Sequence, residues 1–524
     1  MEISDDKSKF QTVSDEALVH PDDLFQSSSD RSFRYAFGAN EARGEKLFSD
    51  ILSLFYRSLD ALSGRKSYMF LRDNFVAPDF PRPYRNILAL LKRHKMVGVC
   101  NLRPERLNSV PFFYKFNCLG AHPKNSTDGK TGISMLHALG ISKDRNEAAS
   151  KMIGEFCERY FLTLYKDKNL LRSSVGALKK KHIPALDLDL LAGFSEKQKE
   201  ERSKLRWNDE SVFRWEKCFR VLSGEPTYIP ADLIYWNYRS DVESGEPTLR
   251  EHNTSGCGGF FTKEGAILSG LYELVQRDAF LYWYLNTLTP PKIDPESVSD
   301  ETFRLILEES KRYGIAVHCL NTTIDTQIPS VAVILEDRLN SGPHFVMGAG
   351  CGANPARAAR RAMEEAWSIY IWAAQSAHYP KFLLAESYTP FCAMDIGQSE
   401  RTALFANPLM RPHYEFLIRG VEKKIGAFDF SYPPDFSSER EELSVAVKHL
   451  ERLGKGYEIY AFLPDHILLS KLGYVSARVI VPRLIPLYLH EANAPLGSER
   501  LRIHHSKMGI AQARTPNSWP HPFP

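Results

Sequence analysis

The chain has 524 residues, 43% apolar and 25% charged, an ordinary globular composition with room for roughly two to four domains, or for one large α/β domain with extensions. A formal net charge of +3 gives no reason to expect a nucleic-acid or membrane partner, and no stretch approaches the ~20 apolar residues of a membrane span. The acidic opening Met1 to Asp6 is unlike a signal peptide, and the eight cysteines include no C-x-x-C pair, which argues against structural zinc and for reduced thiols in the cytoplasm.

In chain order, residues 1–33 are rich in Ser and Asp and poor in large apolar residues, the composition of a disordered tail. Asn40 to Ser63 carries Leu47, Ile51, Leu54, Phe55, Leu59 and Leu62 on one helical stripe. Pro78, Pro81 and Pro83 break the chain before a helix over Asn86 to Lys95 and a short strand over Met96 to Cys100. Val110 to Leu119 reads as extended. A helix follows from Asp144 to Tyr165, with Ser142 as its expected N-cap. Further strands are predicted near Phe219 to Leu222, Tyr228 to Ala231, Ala316 to Leu320, Val331 to Leu335, Phe345 to Gly352 and Arg478 to Pro482. The mixture of strands and helices gives an α/β or α+β class.

Three helical segments repeat one spacing, an Ala followed by a Glu seven residues later: Ala148 to Glu155, Ala266 to Glu273 and Ala358 to Glu365. Residues three and four apart share a helix face, so Glu155, Glu158 and Arg159 form one patch and Glu273, Gln276 and Arg277 another; the third helix adds Arg361. A single Glu-x-x-Glu-Arg usually means a solvated ion pair worth a few tenths of a kcal/mol. Here the surrounding positions are apolar on most of the circumference, which predicts buried carboxylates that must be paired or metal-bound. Several such helices could supply oxygens to Mg²⁺ and arginine forks to a polyphosphate.

Other motifs are weaker. Gly256-Cys257-Gly258-Gly259, next to Thr254 and Ser255, is either a tight turn or a phosphate cradle. Gly348 to Ala353 matches G-x-G-x-x-A, but apolar helix follows where a dinucleotide fold needs a strand ending in an acid. Gly129-Lys130-Thr131 lacks the leading Gly of a P-loop, and neither G-x-S-x-G nor H-E-x-x-H occurs. The ending Trp519-Pro520-His521-Pro522-Phe523-Pro524 favours extended polyproline II geometry, and its aromatic residues suit docking rather than fraying.

Taken together, Asn253 to Asp278, Gly154 to Tyr160, Arg361 to Ala366 and the P-x-P-x-P ending resemble the YcaO family, specifically its azoline-forming cyclodehydratases, over roughly residues 85–524. The resemblance implies a mixed α/β YcaO-like ATP-binding fold. Its parts would be a disordered tail over 1–33, a helical extension over 34–85, a catalytic domain over 86–510 and a Pro-rich tail over 511–524 that enters the active site. It implies an ATP- and Mg²⁺-dependent enzyme. The Cys, Ser or Thr side chain of a ribosomal precursor peptide attacks the preceding carbonyl. ATP phosphorylates the resulting oxygen, and phosphate leaves to give a thiazoline or oxazoline. By the same resemblance Glu155, Glu158, Glu273 and Glu365 are metal or nucleotide ligands, and Arg159, Arg277 and Arg361 contact phosphates. Ser255, Ser269 and Gln276 would line the nucleotide, while Pro520, Pro522 and Pro524 form the catalytic tail. A leader-binding E1-like or similar protein is the expected partner, and a homodimer is compatible.

The sequence departs from that pattern at Gln276, where Glu is usual, at Ser368 and Tyr370 on the third helix, and at Ala138-Leu139-Gly140 before the first. These departures favour one alternative, a non-catalytic scaffold that binds peptide or partner; a thioamide-forming enzyme of the same family is a second alternative, which the P-x-P-x-P ending disfavours.

Overall fold

The computed structural model describes residues 82–93, 97–105, 113–121, 135–236, 238, 245–339, 341–375, 390–392, 396–503 and 515–523. The expected tail over 1–33, the Leu47–Leu62 helix, most of the 34–85 extension and Pro524 lie outside these residues. The described chain falls into two compact units. One gathers residues up to Pro104 with Tyr114–Leu164; the other takes Glu105–Phe113 with Tyr165–Pro524.

In the first unit, strands β1 (Val97–Glu105), β2 (Phe113–Ala121) and β3 (Met135–Ser142) form a sheet in that order, with β2 and β3 antiparallel. Two helices accompany it: α1 (Arg82–Arg93) and α2 (Arg145–Phe161), with α2 packed on β3. Helix α1 starts earlier than its sequence pattern suggests. Pro83 sits in its first turn, where a missing N–H costs nothing. The cap of α2 is Asp144 rather than Ser142. Asp144 accepts from the Glu147 amide, while Ser142 ends β3 and donates its hydroxyl to the Glu147 carboxylate.

The second unit holds two sheets. The larger runs β4 (Leu171–Ser174), β5 (Val212–Arg220), β13 (Tyr460–Phe462), β14 (Val475–Ile480) and β7 (Cys257–Phe260), with β6 (Pro226–Pro230) paired to β5. The smaller runs β11 (Phe345–Cys351), β10 (Ser330–Asp337), β9 (Ile315–Asn321), β8 (Lys292–Ile293) and β12 (Glu422–Lys423). Its three long strands are antiparallel, with Val333 opposite both Gly348 and Cys319.

Three long helices pack on these sheets, α3 (Lys263–Leu285), α4 (Glu301–Arg312) and α5 (Pro355–Gln375), and α6 (Glu439–Glu451) packs on α3. Helix α3 touches β7 and β14 of one sheet and β10 and β11 of the other. Seventeen of its 23 residues are buried, so it is a central helix rather than an amphipathic surface one. Thr262 caps it by accepting from the Gly265 amide. Each fully buried Leu, Ile or Phe on it contributes about 1.5–3 kcal/mol.

The repeated Ala-to-Glu spacing is a structural triplicate: β3–α2, β7–α3 and β11–α5 are the same strand–helix unit. In each, a strand glycine eight residues before the alanine presses on the helix backbone. A Cβ on Gly140, Gly258 or Gly350 would lie 1.8, 2.3 or 2.1 Å from the carbonyl oxygen of Ala148, Ala266 or Ala358. No side chain fits there, so strand and helix backbones meet directly. The glutamate two turns further along the helix is thereby set against the backbone of its own strand or of the turn just before it.

Candidate functional site

Each repeat places its glutamate in the same way. Glu155 accepts from the Leu139 amide, Glu273 from the Gly256 amide at 2.7 Å and Glu365 from the Ala349 amide at 2.7 Å. The second oxygen of Glu155 pairs with Arg159 at 2.6 Å, and that of Glu273 with Arg277 at 2.7 Å. Arg159 also reaches the His137 carbonyl, and Arg277 donates to the Ser255 hydroxyl at 2.6 Å. The third repeat reverses this order. Arg361 precedes Glu365 by one turn and donates to the Cys351 carbonyl at 3.3 Å, while the place one turn after Glu365 is held by the buried Ile369.

The carboxylates are less buried than the apolar surroundings predicted. Side chains of Glu155 and Glu273 keep 29% and 26% of their surface, and Glu365 is half-buried. Glu158 and Gln276 are half-buried, whereas Ser269 and Arg361 are exposed. Ser368, equivalent to Glu158 and Gln276, is buried. Tyr370 turns into the core, where its hydroxyl donates to Asp337 at 3.1 Å and steadies the turn after β10.

Ser255 is fixed by an Asx-type turn in which its amide donates to the Asn253 side chain at 2.8 Å. The next residue, Gly256, has φ +84°, and a Cβ there would strike the Val479 carbonyl at 2.4 Å. Only glycine can present its amide to Glu273 in that conformation. Behind this turn lies a cavity of about 20 Å³, the size of one water, lined by Asp232, Arg250, Asn253, Ser255, Leu274 and Arg478. Arg250 and Arg478 are buried and donate mainly to carbonyls, from Ala192 and Pro482 in one case and Leu233 and Asn253 in the other. Burial, then the neighbouring Arg478, lowers the Arg250 pKa to about 9. Asp232 holds the His252 ring and accepts from the Leu249 amide. None of these four stands out in the sequence, because their partners lie far away along the chain.

The proline-rich end docks on α3. Asn517 donates its amide to the Leu285 carbonyl at 2.7 Å, and the Tyr284 hydroxyl donates to the Pro520 carbonyl at 2.8 Å. Phe523 packs edge-on against Phe280. Pro520 and Pro522 are buried. As the tail advances from 517 to 523, its contacts on α3 step back from 285 to 280, so the tail runs antiparallel to the helix. Ser269, Glu273, Arg277, Phe280 and Tyr284 lie three or four residues apart along one stripe of α3. The tail therefore follows that stripe toward Arg277 and Glu273.

Could ATP and Mg²⁺ be held here? Among the described residues, no three His, Cys, Asp or Glu side chains are grouped as a metal cage. Mg²⁺ seldom uses such a cage; it takes one or two carboxylates and completes its shell with phosphate oxygens and water. Glutamates oriented by backbone amides, arginine forks and a glycine-rich turn suit that chemistry. Among the described residues no helix is long and apolar enough to cross a membrane.

A family model described as YcaO cyclodehydratase, ATP- and Mg²⁺-binding, matches residues 139–485. Among curated proteins, one from Rhizobium leguminosarum bv. trifolii, named for the tfuA 3′ region, is 34% identical over 164 residues, 29% of this chain and 37% of its own length. A protein of Methanothermobacter thermautotrophicus is 26% identical over 157 residues, 30% of this chain and 40% of its own. The chain thus spans well under half the length of these two relatives in the matched region. Among solved structures, a heterocyclase in complex with substrate and cofactor superposes with a TM-score of 0.65 at 19% identity, covering 84% of this chain and 57% of that one. YcaO from Methanopyrus kandleri bound with AMPPCP and Mg²⁺ gives 0.53 at 15% identity, covering 77% and 91%. At these identities the structures show a shared fold. The family model, matched over most of the chain and including all three glutamate helices, shows more: this chain belongs to the YcaO family.

Proposed function

We propose that the protein is an ATP- and Mg²⁺-dependent cyclodehydratase that forms thiazoline or oxazoline rings from Cys, Ser or Thr of a ribosomal precursor peptide. The observation that carries this reading is the docked tail, laid along the α3 stripe and directed at Arg277 and Glu273.

In this reading Glu273 and Glu365 hold Mg²⁺ and nucleotide while Arg277 and Arg361 neutralise phosphate oxygens; Glu155, Glu158 and Arg159 are proposed for the same roles on their own unit. When bound, ATP supplies the phosphoryl group that makes the amide oxygen a leaving group. The chain's own part is positioning and charge neutralisation. The Gly256 amide and Arg277 fix both oxygens of Glu273, so its rotamer is set before ligand arrives. Ser255, already bonded to Arg277, and Ser269, one turn before Glu273, would face the nucleotide. Gln276 keeps an oxygen ligand without the charge. Pro520, Pro522 and Pro524 would belong to the segment that approaches the reacting amide. A leader-binding protein of E1-like or similar type would present the peptide.

The test is incubation of the purified chain with a Cys-containing precursor, its leader-binding partner, ATP and Mg²⁺. Loss of one water per ring, coupled to peptide-dependent ATP hydrolysis, supports the proposal. Exchange of oxygen for sulfur when sulfide is supplied identifies a thioamide-forming enzyme instead. Peptide binding without ATP turnover identifies a scaffold.

A further inference from the structure

The tail is held by more than its prolines. His521, between Pro520 and Pro522, is fully buried. Its Nε2 lies 2.9 Å from the Tyr488 carbonyl, and its ring meets the Tyr488 ring edge-on at 4.5 Å. A carbonyl only accepts, so Nε2 carries the hydrogen. The same carbonyl receives Arg401 Nη1 at 2.8 Å, and the Arg401 guanidinium pairs with Glu491. Arg401 and Glu491 are both fully buried, so they fix the Tyr488 backbone from behind. His521 thus adds an anchor on the 488–491 segment to the contacts that Asn517, Pro520 and Phe523 make on α3.

We infer that His521 is a positioning residue: as a neutral imidazole donating to Tyr488, it latches the C-terminal tail onto the face of α3 that carries Arg277 and Glu273. The docking stands on its own contacts; only its consequence for cyclisation rests on the function proposed above.

The surroundings reject a charged ring. Burial opposes protonation most; Arg401 on the 398–405 helix and Arg277 on α3 add to it, against weaker help from the backbone at Tyr488 and Phe523. Glu491, the nearby carboxylate, is engaged by Arg401. Together these hold the His521 pKa well below its ordinary value. The sign follows. A depressed histidine pKa favours docking fully above the free imidazole's pKa of ~6.5, and docking weakens about tenfold per pH unit below it until the docked ring itself protonates.

The experiment is hydrogen–deuterium exchange of the 515–523 peptide in the full chain between pH 8 and pH 5, corrected for intrinsic exchange, with α3 peptides as the folding control. In the native protein, protection of the tail should fall about tenfold per pH unit below ~6.5 while α3 stays protected. His521→Gln keeps a donor at the same reach without a titrating group, and should remain protected across the range. His521→Lys should lose tail protection at every pH. A native tail protected down to pH 5, or one whose pH dependence His521→Gln reproduces, overturns the latch. Should the tail follow His521 while peptide cyclisation does not follow the tail, the latch stands and the proposed function falls.

Discussion

Phe523 meets Phe280 edge-on, with ring centroids 4.9 Å apart and planes at 72°. Phe280 lies seven residues after Glu273 on α3, about two turns along the same face. The contact therefore ties the chain's last described residue to the helix that carries the central glutamate of the proposed site.

Removal of Pro520–Pro524 should cut peptide cyclisation about a hundredfold, because a misplaced catalytic group loses that much through geometry alone. Nucleotide affinity should change little, since Glu273 and Arg277 keep their own bonds. Cyclisation rate and ATP affinity measured on the same truncated protein check this.

Arg277→Lys retains the charge but loses the fork that joins Glu273 to Ser255. Loss of one charged hydrogen bond, about 1.5–3 kcal/mol, should weaken ATP binding roughly tenfold to a hundredfold. Calorimetric titration with ATP and Mg²⁺ gives the number.

Gly350→Ala places a methyl group 2.1 Å from the Ala358 carbonyl oxygen, a backbone atom that cannot swing aside. Strand β11 and helix α5 would have to separate, at a cost of about 1–3 kcal/mol or more. A lowered thermal midpoint, with weaker nucleotide binding through Glu365, is expected.

Asp278 and Arg500 form a fully buried pair, and Arg500 also reaches Asp325 and Tyr457. Asp278→Asn leaves the arginine short of a buried counter-charge, which typically costs about 3–5 kcal/mol. Denaturant melts should show that loss, whereas removing an exposed surface pair such as Lys179–Asp209 should leave the midpoint nearly unchanged.

The Glu251–His490 pair sets a pH window. The hydrogen bond that His490 donates to Glu251 raises the His490 pKa against opposing burial; burial would raise the Glu251 pKa, but the bonds it accepts from His490, Asn493 and the Leu489 amide outweigh that and lower it. The raised histidine contributes stability that is complete below its free pKa of ~6.5 and is lost as pH rises through its value in the fold; the lowered glutamate contributes above its free pKa of ~4.3 and loses this as pH falls. Melts of the native protein and Glu251→Gln should differ most between about pH 4.3 and 6.5, and the difference should shrink as pH rises through the His490 value in the fold or falls through that of Glu251.

Much of this arrangement is legible in the chain. The three long helices show in their apolar periodicity, and the Ala-to-Glu spacing marks all three strand–helix units because a glycine must stand opposite each alanine. The reversed arginine of the third unit is visible too: Arg361 precedes its glutamate, whereas Arg159 and Arg277 follow theirs. Burial is less legible. Periodicity suggested sealed carboxylates, whereas Glu155, Glu273 and Glu365 are only half-buried. Asp232, His252, Arg250 and Arg478 gain their meaning from partners up to 245 residues away, such as the Leu233 carbonyl on Arg478. The tail's hydrophobic character announced docking; its antiparallel course depends on Phe280 and Tyr284, which read in the sequence as ordinary core aromatics.

The most direct test is calorimetric titration of the native chain and Glu273→Gln with AMPPCP in the presence and absence of Mg²⁺. Saturable Mg²⁺-dependent binding to the native chain, weakened about a hundredfold or more in a variant that melts normally, is the expected result. Equal binding by the two proteins, or none by the native chain, would contradict a nucleotide site built on Glu273.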